Sequence, residues 1–593
     1  MSTPFLVKNI RPGSSNSYPN SLTAVGNTLF FQANDGVNGR ELWKSDGTAA
    51  GTVLVKDIRP GSSNSSPGYL TAVGNTLFFQ ANDGVNGREL WKSDGTAAGT
   101  VLVKDIRPGS SNSSPGYLTA VGNTLFFQAN DGVNGRELWK SDGTAAGTVL
   151  VKDIRPGSSN SSPSSLTAVG NTLFFTVNDG VNGRELWKSD GTAAGTVLVK
   201  DIRPGSTSSY PRYLTAVGNT LFFTVNDGVN GEELWKSDGT AAGTVLVKDI
   251  RPGSTGSYPR YLTAVGNTLF FTVNDGVNGE ELWKSDGTAA GTVLLKDIRP
   301  GYSGFGPRYL TVVGNTLFFT ADDGVNGGEL WKSDGTAAGT VLVKDIRPGS
   351  SNSSPSSLTA VGNTLFFQAN DGVNGGELWK SDGTAAGTVL VRDINPASSS
   401  SSPGYLTAVG STLFFTANDG VSGEELWKSD GTVAGTVLVA DIRPGASGFG
   451  PRSLRVVGNT LFFTADDGVN GEELWALNVG TPTVPTLAIA ATNANQTEGN
   501  SDSKAFTFTV TRADNTTGTN NVNWAVTGTG SNPANATDFV GGVLPSGVVS
   551  FTTGETSKVI TVNVQGDTTV EPNETFTVTL SNATNGATKL NGA

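Results

Sequence analysis

A 48-residue unit recurs ten times with almost no error in spacing, and this periodicity constrains the fold more than any other feature of the chain. The tryptophan of the string ELW stands at Trp43, Trp91, Trp139, Trp187, Trp235, Trp283, Trp331, Trp379, Trp427 and Trp475. Copies this regular are structural bricks rather than ten active sites. Function is therefore to be sought in what the assembled bricks present.

The unit over residues 22–60 shows the pattern. LTAVG (Leu22 to Gly26) and NTLFFQA (Asn27 to Ala33) are apolar runs joined at a Gly-Asn turn, which predicts a tight hairpin. NDGVNG (Asn34 to Gly39) is turn chemistry, because Gly and Asn tolerate positive φ. RELWKS (Arg40 to Ser45) alternates as a third strand, DGTAAGT (Asp46 to Thr52) turns again, and VLVKDI (Val53 to Ile58) is a β-branched fourth. A Pro/Gly/Ser connector, Arg59 to Tyr69, leads to the next copy. Four short strands per unit is the blade pattern of a β-propeller. A blade is covered on both faces, so Leu29, Phe30 and Phe31 need not alternate. Trp43 is expected to fill the gap between blades, burying roughly 150–250 Å².

Ring closure follows from a count. The tenth unit ends at EELWALN (Glu472 to Asn478) without a fourth strand, and the chain opens with an orphan one, FLVKNI (Phe5 to Ile10). The opening strand is expected to complete the last blade. The expected fold is all-β: a ten-bladed propeller of four-stranded blades over residues 1–479, a linker at 480–486 and an immunoglobulin-like β-sandwich over 487–593. Two five-bladed rings are the alternative, but no linker interrupts the array between Trp235 and Trp283. Units seven and ten share GFGPR and VVG, a trace of growth by internal duplication.

The string ELWKSDGTAAGTVLVKDI resembles the bacterial ELWxxDGTxxGT repeat family, and the likeness runs over about residues 5 to 478. That family is associated with large exported or surface proteins, which implies an extracellular or cell-surface location. MSTPFLVKNI lacks the basic and apolar regions of a signal peptide, so export is expected to use a signal outside this chain. No apolar run is long enough to span a bilayer.

Composition removes several chemistries. The chain has no cysteine and no histidine, which excludes disulfides, thiolate zinc sites and the commonest general base. Hard oxygen ligands remain and suit calcium. The net charge is −12, and about −8 of it falls on the repeats. An acidic surface repels phosphate backbones, so nucleic acid is not an expected partner.

The copies differ in two places. One is the connector, with Tyr69 and Tyr117, then Tyr210, Arg212 and Tyr213, then Tyr258, Arg260 and Tyr261. It continues with Phe305, Arg308 and Tyr309, and with Phe449 and Arg452. The other is the residue before ELW: Arg40, Arg88, Arg136 and Arg184, then Glu232 and Glu280, Gly328 and Gly376, Glu424 and Glu472. In a four-stranded blade both emerge on the same ring face. Tyr and Arg are favoured contact residues, so this face is the expected ligand face; drift of exposed loops is the competing reading. Asp35, Asn38 and Glu41 could bind calcium in each blade, or simply satisfy their own turn. Asp46 is expected to hydrogen-bond its own turn.

After the Pro/Thr stretch at Gly480 to Thr486, alternating runs predict a sandwich with Trp524 in its core. TEGN (Thr497 to Asn500), ATDF (Ala536 to Phe539), GETSKVITV (Gly554 to Val562) and DTTVEPNETFTVTLSN (Asp567 to Asn582) resemble the Calx-beta domain over about residues 485 to 593. The resemblance implies calcium held in loops at one end of the sandwich, with Glu498, Asp538, Asp567, Glu571 and Glu574 at the matching positions. Gly566 stands where such members often carry another acid, and the chain stops before the family's final strand, so the expected site is incomplete.

These readings converge on a non-enzymatic extracellular binding or scaffold protein, a monomer as an isolated chain, whose partner is a protein or carbohydrate at a cell surface. A glycan-binding propeller is the alternative, and a polysaccharide hydrolase a more distant one. An enzyme needs asymmetric residues found once, whereas here Asp and Glu recur tenfold.

Overall fold

The computed structural model describes residues 3–301, 306–445, 450–480, 485–497, 499–513, 520–552, 555–569, 572–584 and 588–589. The chain forms two compact units, and the break in the chain between them falls at Gly480 and Thr481.

The first unit contains ten four-stranded antiparallel sheets. The opening strand β1 spans Phe5–Lys8. Blade one then runs β2 (Asn20–Val25), β3 (Thr28–Asn34), β4 (Arg40–Ser45) and β5 (Val53–Lys56), paired in chain order. The first strands of neighbouring blades lie side by side from blade one through blade seven, and again across blades ten and one. First strands therefore line the centre of the ring and fourth strands its rim. Closure follows the count made on the sequence. β1 pairs with Glu472–Asn478, with Phe5 opposite Ala476 and Lys8 opposite Leu474.

The core is a series of seams rather than one interior. Phe31 faces the blade behind and clusters with Trp43, Phe462 and Leu474. Phe30 faces the blade ahead and clusters with Leu77, Phe79 and Trp91. Leu29, Phe30 and Phe31 are all buried, because a blade has neighbours on both faces. Each buried Phe contributes roughly 1.5–3 kcal/mol. Trp43 is 5% exposed and fills the seam as expected. Lys56 of blade one crosses the next seam, to blade two: its Nζ donates to the Thr100 carbonyl at 2.8 Å and lies 6.0 Å from the Trp91 ring centroid. At the closing seam Lys8 donates to the Thr52 carbonyl at 2.9 Å, so the latch repeats an internal contact.

One carboxylate clips each blade to its connector. Glu41 is fully buried and accepts from the Ile58 amide at 3.0 Å, the Ser65 amide at 2.9 Å and the Ser65 hydroxyl at 2.5 Å. Burial pushes its carboxyl up to about 7 against the downward pull of those hydrogen bonds. Ile58 thus leaves the fourth strand, which ends at Lys56 rather than running to Ile58 as the sequence suggests. The same clip joins Glu473 to Ile10, Arg11 and Ser17 across the closing seam.

The second unit is a sandwich. One sheet orders Ser557–Gln565, Ser503–Ala513, Thr486–Asn493 and Thr588–Lys589; the other orders Ser546–Phe551, Asn520–Thr529 and Thr575–Ser581. Phe508, Val510, Val522, Phe551, Val562 and Val578 are among its core residues. Trp524 departs from expectation: it is only partly buried and packs against the edge of that core. Phe576 instead gathers Phe506, Phe508 and Phe539 around it, with centroids 5.3–6.0 Å away. Of the expected linker 480–486, residues 481–484 lie outside the described residues, and Thr486 already begins a strand.

Candidate functional site

The register of each blade brings its variable positions to one end. Asn20 opposes Gln32, and Asn34 opposes Arg40, so the start of the first strand and the start of the third share an end with the loop between β3 and β4. Of the residues expected in connectors, Tyr210 and Tyr258 lie ahead of the first strand and several others belong to that strand itself. Arg212, Arg260, Arg308 and Arg452 each open a first strand, and Tyr213, Tyr261 and Tyr309 follow directly. Tyr69 and Tyr117 hold the same second position in blades two and three. Phe305 and Phe449 lie outside the described residues.

Backbone conformation explains why these side chains point outward. A bulge between Gly68 and Thr71 interrupts the pairing of the first strand, and Tyr69 within it has φ of 55°. Tyr117, Tyr213, Tyr261, Tyr309 and Tyr405 repeat this, while Tyr18, Tyr210 and Tyr258 adopt φ of 50–55° two residues ahead of their strands. Every described tyrosine of the chain is therefore left-handed, and each is between 45% and 59% exposed. A bulky side chain there costs about 1–2 kcal/mol per residue. The phenylalanines of the TLFF strands are buried. The described tyrosines thus gather at the starts of the first strands. No composition or period signals this; only the internal comparison of copies could have found it, and it assigned to the connector Tyr69, Tyr117, Tyr213, Tyr261 and Tyr309, which lie in first strands.

Arginines answer these tyrosines. The Arg40 guanidinium lies 5.9 Å from the Tyr18 ring centroid, and that of Arg212 lies 6.0 Å from Tyr210. Arg184 reaches across the second strand of blade four to the Ser164 hydroxyl at 3.0 Å and the Ser162 carbonyl at 3.1 Å.

Of the two readings of the per-blade acids, the hydrogen bonds supply the turn-satisfying one. Asp35 turns onto its own loop, accepting from the amides of Val37 and Asn38 at 2.9 and 2.7 Å and from the Asn38 side chain at 2.6 Å. Glu41 faces inward to its clip. Asp46 accepts from the amide and hydroxyl of Thr48, each at 2.8 Å, and those bonds hold its carboxyl below the usual range.

In the sandwich, several expected metal loops meet at one end. Thr575 and Ala534 exchange a backbone bond at 3.0 Å, which sets the segment before Thr575, including Glu574, against the turn Ala536–Asp538. Asp538 closes that turn, accepting from the Asn535 amide at 2.5 Å. Asp567 is exposed and accepts from the Thr569 amide at 2.6 Å. Asp538 and Asp567 thus each accept a backbone amide of their own turn. Glu498 and Glu571 lie outside the described residues. Among the described residues no group of three acidic side chains is drawn together tightly enough to hold a metal. Sequence reading missed Asp502, which is left-handed at φ 59° and whose carbonyl accepts from the Gly566 amide beside Asp567 at 2.9 Å.

Comparison with known proteins bears chiefly on this second unit. Residues 488–592 match the Calx-beta domain family. No curated protein sequence matches the chain. Among solved structures, the apo form of the Calx CBD1 domain is 17% identical, covers 18% of this chain and 88% of its own, and has a TM-score of 0.14. A prolyl endopeptidase is 13% identical over 68% of this chain, with a TM-score of 0.30, and this chain spans 55% of its length. Prolyl oligopeptidase B from Galerina marginata is 11% identical over 60% of this chain and 56% of its own, also with a TM-score of 0.30. Likenesses at those scores say nothing about chemistry. Among the described residues no helix is long and apolar enough to cross a membrane. After the ten-sheet unit in sequence, this chain carries a Calx-beta domain at residues 488–592.

Proposed function

We propose that the protein is a non-enzymatic extracellular or cell-surface binding scaffold, in which the tyrosine-lined end of the propeller contacts a surface ligand and the Calx-beta domain binds calcium. The observation that carries this reading is the segregation of tyrosine: all nine described copies are exposed, left-handed and set at the starts of first strands. Strained, bulky residues persist where the surrounding fold over-determines them, and such outliers cluster at binding sites. Tyr offers large amphipathic contact area at low entropic cost, and Ser and Asn between the tyrosines add adaptable hydrogen bonding.

The non-enzymatic part rests on how the carboxylates are used. The buried glutamates are committed to connector clips, and the nine DGT aspartates, absent from blade ten, to their own turns. Calx-beta domains bind calcium, and the chain's oxygen donors suit that ion.

The test is adhesion of labelled full-length chain to intact bacterial and animal cell surfaces, against a variant with Tyr69, Tyr117, Tyr213, Tyr261, Tyr309 and Tyr405 all changed to Ser. Ser already occupies this position, left-handed, at Ser21, Ser165, Ser357 and Ser453, so the fold tolerates it. Loss of adhesion in the variant supports the reading. Equal adhesion by both chains, or turnover of a polysaccharide, overturns it.

A further inference from the structure

Blades five and six differ from the other eight in one respect. Only they combine Arg and Tyr at the opening of the first strand with Glu at the opening of the third: Arg212, Tyr213 and Glu232 in one, Arg260, Tyr261 and Glu280 in the next. Blade seven has Arg308 and Tyr309 but Gly328, and blade ten has Arg452 and Glu472 but Ser453.

The register places both charged residues around one threonine of the second strand. Arg212 is the cross-strand partner of Thr224, and the Thr224 hydroxyl donates to Glu232 Oε1 at 3.2 Å. Blade six repeats this with Arg260, Thr272 and Glu280 at the same 3.2 Å. In blade four the residue at the Glu position, Arg184, spans the second strand to reach Ser164, so side chains at these two positions come within bonding reach of one another. The Tyr258 amide donates to the Glu232 carbonyl at 3.1 Å, which seats a further exposed ring between the two triads. The first strands of blades five and six are also immediate neighbours.

The chemistry of such a triad is selective. A guanidinium only donates and a carboxylate only accepts, whereas a hydroxyl does both. Two adjacent hydroxyls on one sugar ring satisfy Arg and Glu together through charge-assisted bonds, while the apolar face of the ring rests on the Tyr. The paired charges cancel within each blade, so an anionic ligand gains little there, and the net charge of −12 repels a polyanion. Two equal subsites at a fixed offset suit a ligand that repeats, and chain linkage between them raises avidity without new contacts.

We propose that blades five and six form adjacent subsites for a neutral glycan chain bearing vicinal hydroxyls. This assignment rests on the ligand-face reading above and names its ligand class.

The test has two arms on the full-length chain. In the first, binding is titrated against mannan, a soluble β-glucan, a galactan, polygalacturonate and single-stranded poly(dT). At least one neutral polymer is expected to bind. Tyr213→Ser with Tyr261→Ser, and separately Glu232→Gly with Glu280→Gly, should each weaken it by about tenfold or more. Both replacements occupy these positions in other blades. Tyr69→Ser with Tyr117→Ser, in blades that lack the Arg and Glu, should weaken it by no more than about twofold. In the second arm, cell surfaces are treated with periodate, which cleaves vicinal diols, or with protease. Periodate should abolish adhesion and protease should not.

Binding to polyanions alone, no binding to any neutral polymer, or equal loss in the blade two and three variant overturns the glycan assignment. If protease but not periodate abolishes an adhesion that Tyr213→Ser with Tyr261→Ser also abolishes, the glycan assignment falls while the ligand face stands. If the variant carrying all six Tyr→Ser changes also adheres normally, both fall.

Discussion

Glu41 illustrates how one residue type sets the solution behaviour of the ring. Its carboxyl, held up at about 7 by burial, has counterparts at Glu89, Glu137, Glu185, Glu233, Glu281, Glu425 and Glu473, and Glu329 and Glu377 shift the same way. An acid whose pKa rises on folding binds its proton more tightly in the folded state. Its stabilising contribution is complete below the unfolded value of 4.5 and is lost as pH rises toward about 7. Each group accounts for about 3 kcal/mol at most. Calorimetric melting of the propeller should therefore occur at a higher temperature at pH 5 than at pH 8, and a flat or rising profile would count against this. Ser65→Ala removes one donor to the ionised form. It should cost about 1–3 kcal/mol, more at pH 8 than at pH 5, as read from urea midpoints at the two pH values. The chain contains its own version of this change. The Ser position is taken by Phe305 and Phe449 in two connectors, and there Glu281 and Glu425 accept from the amides of Arg299 and Arg443 instead. Those two arginines gain new partners, Asp322 at 2.6 Å and Asp466 at 2.9 Å, which replace the Asn found elsewhere.

At the scale of the element, β1 is the strand on which the ring depends. It is joined to blade ten only by pairing and packing, yet it buries Val7 against Trp43 and Phe462. Deleting residues 1–10 uncovers an unpaired edge at Glu472–Asn478 and opens the Glu473 clip. Exposed edges of this kind invite association. The truncated chain should melt several degrees lower and elute as higher oligomers in size-exclusion chromatography; an unchanged melt and a monomeric peak would refute the latch. The fourth strands offer a finer case. Blade nine ends in Ala440 where most others carry Lys, and the neighbouring Trp475 is only half-buried while the other nine are 4–6% exposed. Ala440→Lys should restore the cation over the ring and stabilise the propeller by about 0.5–1 kcal/mol, measured by chemical denaturation.

The whole molecule has two compact units with separate cores, so two thermal transitions are expected. If the Calx-beta domain binds calcium, saturating ion at about 100 times Kd should raise one transition by the equivalent of about 2.7 kcal/mol and leave the other in place. Chelation should reverse the shift. Asp538→Asn with Asp567→Asn should abolish it. A shift that persists in that variant would place the ion elsewhere.

Periodicity alone carried the blade count, the strand count per blade, the burial of both faces of Phe30 and Phe31 and the closure by Phe5–Lys8, because a repeat that buries its faces against identical neighbours leaves few other solutions. Alternation likewise predicted the sandwich strands, and local strings pointed to Calx-beta. Backbone conformation was not legible. Tyr69 and Arg212 read as connector residues, since nothing in their identity announces a bulged strand with positive φ. Trp524 read as core because its size suggests burial, but burial depends on which sheet faces it, and Trp524 is only partly buried against that core. The sharing of one threonine by Arg212 and Glu232, 20 positions apart in the chain, likewise arises from cross-strand register. Periodic hydrophobicity acts through local geometry and is written along the chain; the juxtaposition of polar groups is a through-space property, settled only when strands pair and blades meet.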